Sequence, residues 1–187
     1  MNFANKISTF RILSVPFFIA SLIYYSAERD YFRFMALAIF ILAVVSDAVD
    51  GYIARKEKLK SKAGLILDPL ADKLLLMSGF IFLYKFPVGN ITFPREVILI
   101  VISRDVIILL GAVVVYMVKQ DIKIFPTVWG KLTTSFQMLA IVTVILQFRF
   151  APFFWWLAVL FTVISGIDYI RRGFNLLYAL DNFRNNH

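Results

Sequence analysis

The chain has 187 residues, a formal net charge of +8, no cysteine and 60% hydrophobic residues, and its one histidine is the last residue, His187. Those counts exclude disulfide frameworks and thiolate metal sites, along with Ser-His-Asp, Cys-His, histidine-zinc and haem chemistry. A mean hydropathy of +0.79, set against about 45–50% apolar residues in soluble domains, marks a membrane chain. Its basic character then points to anionic headgroups and phosphorylated substrates rather than nucleic acid.

Six apolar stretches approach the ~20 residues that cross a bilayer core: residues 10–25, 31–55, 68–84, 94–118, 129–148 and 152–169. Runs such as 109–116 lack the alternation of a barrel strand. The expected fold is therefore an all-α integral membrane protein with six transmembrane helices in one domain over residues 1–187. Residues 1–6 carry no long charged leader or cleavage site, so the stretch from Phe10 reads as a first span, not a removed signal. Arg55, Lys56, Lys58, Lys60 and Lys62 lie between spans two and three, and Lys119, Lys123 and Lys131 between four and five. Lys6 and Arg11 lead span one, while Arg171, Arg172 and Arg184 follow span six. The other connections hold only Arg29 and Arg33, then Lys85 and Arg95, then Arg149. This bias puts both termini on the cytoplasmic side, with Trp155 and Trp156 near the opposite interface. The basic loop 56–62 reads as a topology determinant and headgroup contact, with a substrate role for some of its lysines left open.

Four aspartates interrupt this apolar sequence. Asp47 and Asp50 are three apart, and Asp68 and Asp72 four apart, so each pair shares one face of a helix. Carboxylates in apolar surroundings need compensation, and hard divalent cations with oxygen ligands supply it. Gly51 and Ala54 follow the first pair by one turn each, which keeps that face free of bulk. Pro69, directly after Asp68, suits the first turn of a helix. Arg55 adds a planar fork for a phosphate. Carboxylates, metal and arginine at the cytoplasmic edge of a membrane suit a nucleotide-activated lipid. Buried carboxylates also suit a cation transporter, but the Gly/Ala/Arg spacing and the short chain weigh against it.

The pattern Asp47-x-x-Asp50-Gly51-x-x-Ala54-Arg55, eight residues, Gly64-x-x-x-Asp68-x-x-x-Asp72 resembles the full signature of the CDP-alcohol phosphotransferases. The segment from Asn5 to Arg11, followed by Pro16, is similar to the N-terminal segment of the phosphatidyltransferase members. The resemblance implies metal-dependent transfer of a phosphatidyl group from CDP-diacylglycerol to an alcohol, with release of CMP. It implies Asp47, Asp50, Asp68 and Asp72 as ligands of Mg2+ or Mn2+, with two ions expected. Asp72 becomes the general base for the acceptor hydroxyl, with Asp68 beside it in the catalytic set. Asp50, Gly51, Ala54, Arg55 and Gly64 become the nucleotide pocket. A homodimer in a bacterial inner membrane, with its active site facing the cytoplasm, completes the expectation.

Arg104 and Asp105 stand in the middle of apolar span four. They form either an internal ion pair or an acceptor-phosphate site in which Asp105 orients Arg104. Gly130-Lys131, with Thr133 and Thr134, opens span five, where a lysine and hydroxyls at a helix start favour an anion. Arg104 and Lys131, joined by Arg171, are the candidate acceptor-phosphate residues. These segments, with Gln137 following, are similar to the members that transfer to glycerol 3-phosphate. Arg104-Asp105 is also similar to members that use phosphatidylglycerol, which forms the alternative.

Overall fold

The computed structural model describes the backbone of residues 3–57, 64–119 and 128–185, and the side chains within 10–46, at 49, and within 73–111 and 128–173. All the regular structure in those residues is helical. The helices are α1 (Phe3–Ile23), α2 (Tyr31–Glu57), α3 (Gly64–Lys85), α4 (Arg95–Lys119), α5 (Val128–Ile145) and α6 (Ala151–Asn185), with a short 3-10 turn at Ala27–Arg29. Each covers one of the six apolar stretches. Two of them, Val128–Ile145 and Ala151–Gly173, are long and apolar enough to cross a membrane among the described residues.

Three bounds differ from expectation. α1 begins at Phe3 and carries Pro16 inside it. α3 begins at Gly64, a turn before Asp68, so Pro69 lies inside the helix rather than in its first turn. α6 runs sixteen residues past Tyr169, to Asn185. Its charged stretch does not end it, because Arg172 Nε donates to Asp168 Oδ1 at 3.1 Å across one turn, a spacing that supports a helix.

The described helices expose large apolar side chains. On α6 the exposed residues are Phe153, Trp156, Leu160, Val163, Ile167 and Ile170, which repeat at alternating steps of three and four and so form one apolar stripe. Ala151, Trp155, Ala158, Thr162 and Ser165 on the same helix are buried. An apolar stripe turned outward, with hydroxyls turned inward, is the pattern of a helix in lipid.

The chain falls into two compact units: Met1–Pro94 with Met138–Ala151, and Arg95–Gln137 with Pro152–His187. In the first, α1 packs on both α2 and α3. Phe18 and Phe40 meet at 5.7 Å between ring centroids, and Phe80 meets Phe93 at 4.6 Å. Gly79 permits close approach, since a Cβ there would lie 2.7 Å from Ile141 Cδ1. The chain reverses between α5 and α6 at Gln147, whose φ of 54° is left-handed. The Gln147 amide accepts from Ile91 N at 2.8 Å and donates to Ile91 O at 3.0 Å and Val144 O at 2.8 Å, fixing the α3–α4 connection to this turn.

In the second unit α4 and α6 run in the same direction. Arg104 reaches Ser165, and Tyr169 reaches the Ile108 carbonyl at 3.2 Å, with the same separation of 61 residues in both. α5 packs on α6 through Phe136 and Phe161, stacked at 4.8 Å, and Thr133 Oγ1 donates to the carbonyls of Trp129 and Phe161, both at 2.9 Å.

Candidate functional site

The aspartate motif is carried by two helical stretches. α2 is continuous through Asp47, Asp50, Gly51, Ala54 and Arg55, and α3 through Gly64, Asp68 and Asp72. Backbone register therefore supports the expected spacing within each pair. The side chains of these eight residues lie outside the described residues, as do Lys58, Lys60, Lys62, Lys123 and Pro126. Among the described residues no group of three or more metal-ligating side chains occurs. By donor chemistry the quartet is an all-oxygen set, which suits Mg2+ or Mn2+ and not a soft metal.

The second unit holds the other charged constellation. Arg104 is 8% exposed and Asp105 fully buried. Arg104 Nη1 donates to Asp105 Oδ1 at 2.7 Å, and Nη2 donates to Ser165 Oγ of α6 at 2.5 Å. The internal ion pair anticipated from the sequence is present. Arg104 Nε is buried and has no hydrogen-bond partner among the described residues, so one donor of this guanidinium is unspent. A Cβ at Gly166 would sit 3.6 Å from Arg104 Cγ, an ordinary contact, so the arginine stem packs against this position without requiring glycine there.

Lys131 and Arg171, the other two acceptor-phosphate candidates, are exposed. Lys131 stands in the first turn of α5, where the positive end of the helix dipole and its own charge favour an anion. Arg171 follows Ser165 by six residues on α6, about 9 Å along the axis. Arg104 itself is drawn to Asp105 and Ser165.

Beside Arg104, α4 and α6 enclose a groove of about 360 Å³, walled by Leu99, Ile107, Val163, Ile167 and Ile170, with Thr162 and Gly166 at its α6 edge. Its hydrocarbon walls suit an acyl chain and not a nucleotide.

Sequence reasoning gave no role to Ser165 or Thr162. Ser165 receives Arg104, and Thr162 Oγ1 receives Gln137 Nε2 at 3.3 Å. A signal for them was available: two hydroxyls three apart inside an apolar stretch share one face, and polar side chains inside a span usually have partners.

A family profile described as CDP-alcohol phosphatidyltransferase matches residues 1–164 of the chain. A CDP-diacylglycerol--glycerol-3-phosphate 3-phosphatidyltransferase of Bacillus subtilis is 33% identical over 196 aligned residues, covering 94% of this chain and 97% of that protein. A probable phosphatidylglycerophosphate synthase of Mycobacterium tuberculosis is 32% identical, covering 91% and 81%. A CDP-diacylglycerol--glycerol-3-phosphate 3-phosphatidyltransferase of Aquifex aeolicus is 26% identical, covering 95% and 99%.

Proposed function

Because the chain belongs to the CDP-alcohol phosphatidyltransferase family, we propose that it transfers the phosphatidyl group of CDP-diacylglycerol to glycerol 3-phosphate and releases CMP. The observation that carries this reading is the aspartate quartet, spaced as the family signature requires and set on two helices, α2 and α3. The choice of acceptor is supported by the names of the relatives in Bacillus and Aquifex.

In this reading Asp47, Asp50, Asp68 and Asp72 hold the divalent cation, with two ions of Mg2+ or Mn2+ as the finer proposal. A cation bound there supplies charge against the diphosphate and acidifies a hydroxyl near it. Arg55 pairs with a diphosphate oxygen, and the missing bulk at Gly51, Ala54 and Gly64 lets the nucleotide approach the backbone. Asp72 takes the proton of the acceptor hydroxyl, Asp68 supports it, and the hydroxyl oxygen attacks the phosphatidyl phosphorus. The bond from that phosphorus to the CMP oxygen breaks, and CMP leaves with the electron pair. Lys131, Arg171 and the unspent Nε of Arg104 bind the phosphate of the acceptor.

All six helices cross the membrane, with both termini and the aspartate motif on the cytoplasmic side of a bacterial inner membrane, and the protein acts as a homodimer. The parallel course of α4 and α6 supports this topology, since alternate spans of one chain cross in the same sense. Asp50→Asn and Asp72→Asn each remove one charge at nearly constant shape. Both variants should lose CMP release while keeping wild-type helicity and elution volume. Undiminished transfer in both would refute the assignment.

A further inference from the structure

We infer that Gln137 and Arg104 form the two ends of a subsite for a polyol phosphate, held one helical turn apart by Thr162 and Ser165 of α6. The inference rests on the acceptor reading above and adds the residue that reads the acceptor's middle hydroxyl.

Thr162 and Ser165 are three apart on α6, so their side chains lie about 5–6 Å apart on one face. Each holds the polar head of a buried residue from a different helix. Ser165 accepts from Arg104 of α4, and Thr162 accepts from Gln137 of α5. The amide orientation of Gln137 follows from chemistry. The Thr162 hydroxyl spends its proton on the Ala158 carbonyl at 2.6 Å. It can therefore only accept from Gln137, which puts the NH2 group toward it and leaves Gln137 Oε1 on the other side.

Two buried atoms are then left without a hydrogen-bond partner among the described residues, Gln137 Oε1 and Arg104 Nε. Gln137 is fully buried and Arg104 nearly so. Unmatched polar atoms at such burial cost free energy, and a ligand that satisfies both recovers it. One is an acceptor and the other a cationic donor. Glycerol 3-phosphate carries the complement, a hydroxyl that donates and a phosphate that accepts, separated by a few bonds. Thr162 and Ser165 act through the residues they hold and are positioning residues. Gln137 sets specificity.

The test compares two acceptors in CMP release with CDP-diacylglycerol. 1,3-Propanediol phosphate keeps the phosphate and the reacting primary hydroxyl of glycerol 3-phosphate and lacks only the middle hydroxyl. Wild type should prefer glycerol 3-phosphate in kcat/KM by at least about tenfold. Gln137→Met, which keeps the volume and removes the acceptor oxygen, should bring the two acceptors within about twofold of each other, with the KM for CDP-diacylglycerol unchanged. Thr162→Val should reduce the preference and Thr162→Ser retain it. Ser165→Ala should raise the KM for both acceptors together, and Ser165→Thr should restore it. If wild type uses both compounds equally, or Gln137→Met keeps the full preference, the inference is overturned while the acceptor reading stands, and the two atoms hold a structural water instead. If neither compound supports CMP release by wild type, the acceptor reading fails and this inference with it.

Discussion

Removing Asp105 while Arg104 stays is the most informative stability experiment on this fold. The pair is closed to solvent, with the arginine side chain 9% and the aspartate side chain 0% exposed, and its Nη1–Oδ1 distance is 2.7 Å. Among the described residues, Asp105→Leu leaves a guanidinium held by Ser165 alone in apolar surroundings. Breaking a buried pair from one side costs about 3–5 kcal/mol. A hydrogen bond between membrane helices averages only about 0.6 kcal/mol, so the Ser165 contact cannot offset that loss. Replacing both partners, Arg104→Leu with Asp105→Leu, removes the stranded charge along with its partner. The double variant should therefore unfold within about 1–2 kcal/mol of wild type. Unfolding of the purified protein in mixed micelles, followed by circular dichroism, completes the four-way cycle. The predicted coupling energy exceeds about 2 kcal/mol. Additive single costs, with coupling under about 0.5 kcal/mol, would refute the claim that this charge pair holds itself in place.

Three further outcomes follow from the geometry. Arg104→Ala should raise the KM for glycerol 3-phosphate more than that for CDP-diacylglycerol, and an unchanged acceptor KM would make the residue purely structural. Gly79→Leu should destabilise the first unit by about 1–3 kcal/mol, because even a Cβ there would lie 2.7 Å from Ile141 Cδ1, and adding Ile141→Ala should recover much of the loss in the same unfolding assay. Gln147→Leu removes a clasp of three hydrogen bonds on Ile91 and Val144 and keeps a side chain at φ 54°. Backbone amide exchange at Ile91 should rise in that variant, and unchanged protection would place the restraint on this loop elsewhere.

The helices were legible because each apolar run is long and bounded by charge. α2 and α4 begin and end close to where hydropathy changes. The end of α6 was not legible in that way. Asp168, Arg171 and Arg172 look like an exit from the membrane, but Asp168 and Arg172 pair across one turn and the helix continues. The start of α3 was misplaced because Pro69 reads as a first-turn residue, and only the backbone shows the helix already running from Gly64. Of the three points at which the chain passes between the two units, those at Pro94 and Pro152 carry a proline, but the one inside α5, between Gln137 and Met138, has no glycine, proline or polar run to mark it. Within the candidate site, the aspartate spacings and the Arg104–Asp105 pair could be read from sequence because both are local. The hydroxyls that hold Arg104 and Gln137 leave only a hint, two polar residues three apart in an apolar stretch, and their partners 61 and 25 residues away leave no local pattern.

The central claim is tested most directly by CMP release from the purified protein with CDP-diacylglycerol and Mg2+, glycerol 3-phosphate being compared with phosphatidylglycerol as acceptor. The account predicts release that depends on glycerol 3-phosphate and is abolished by chelation of the metal. Release with phosphatidylglycerol alone, or release that survives chelation, would contradict it.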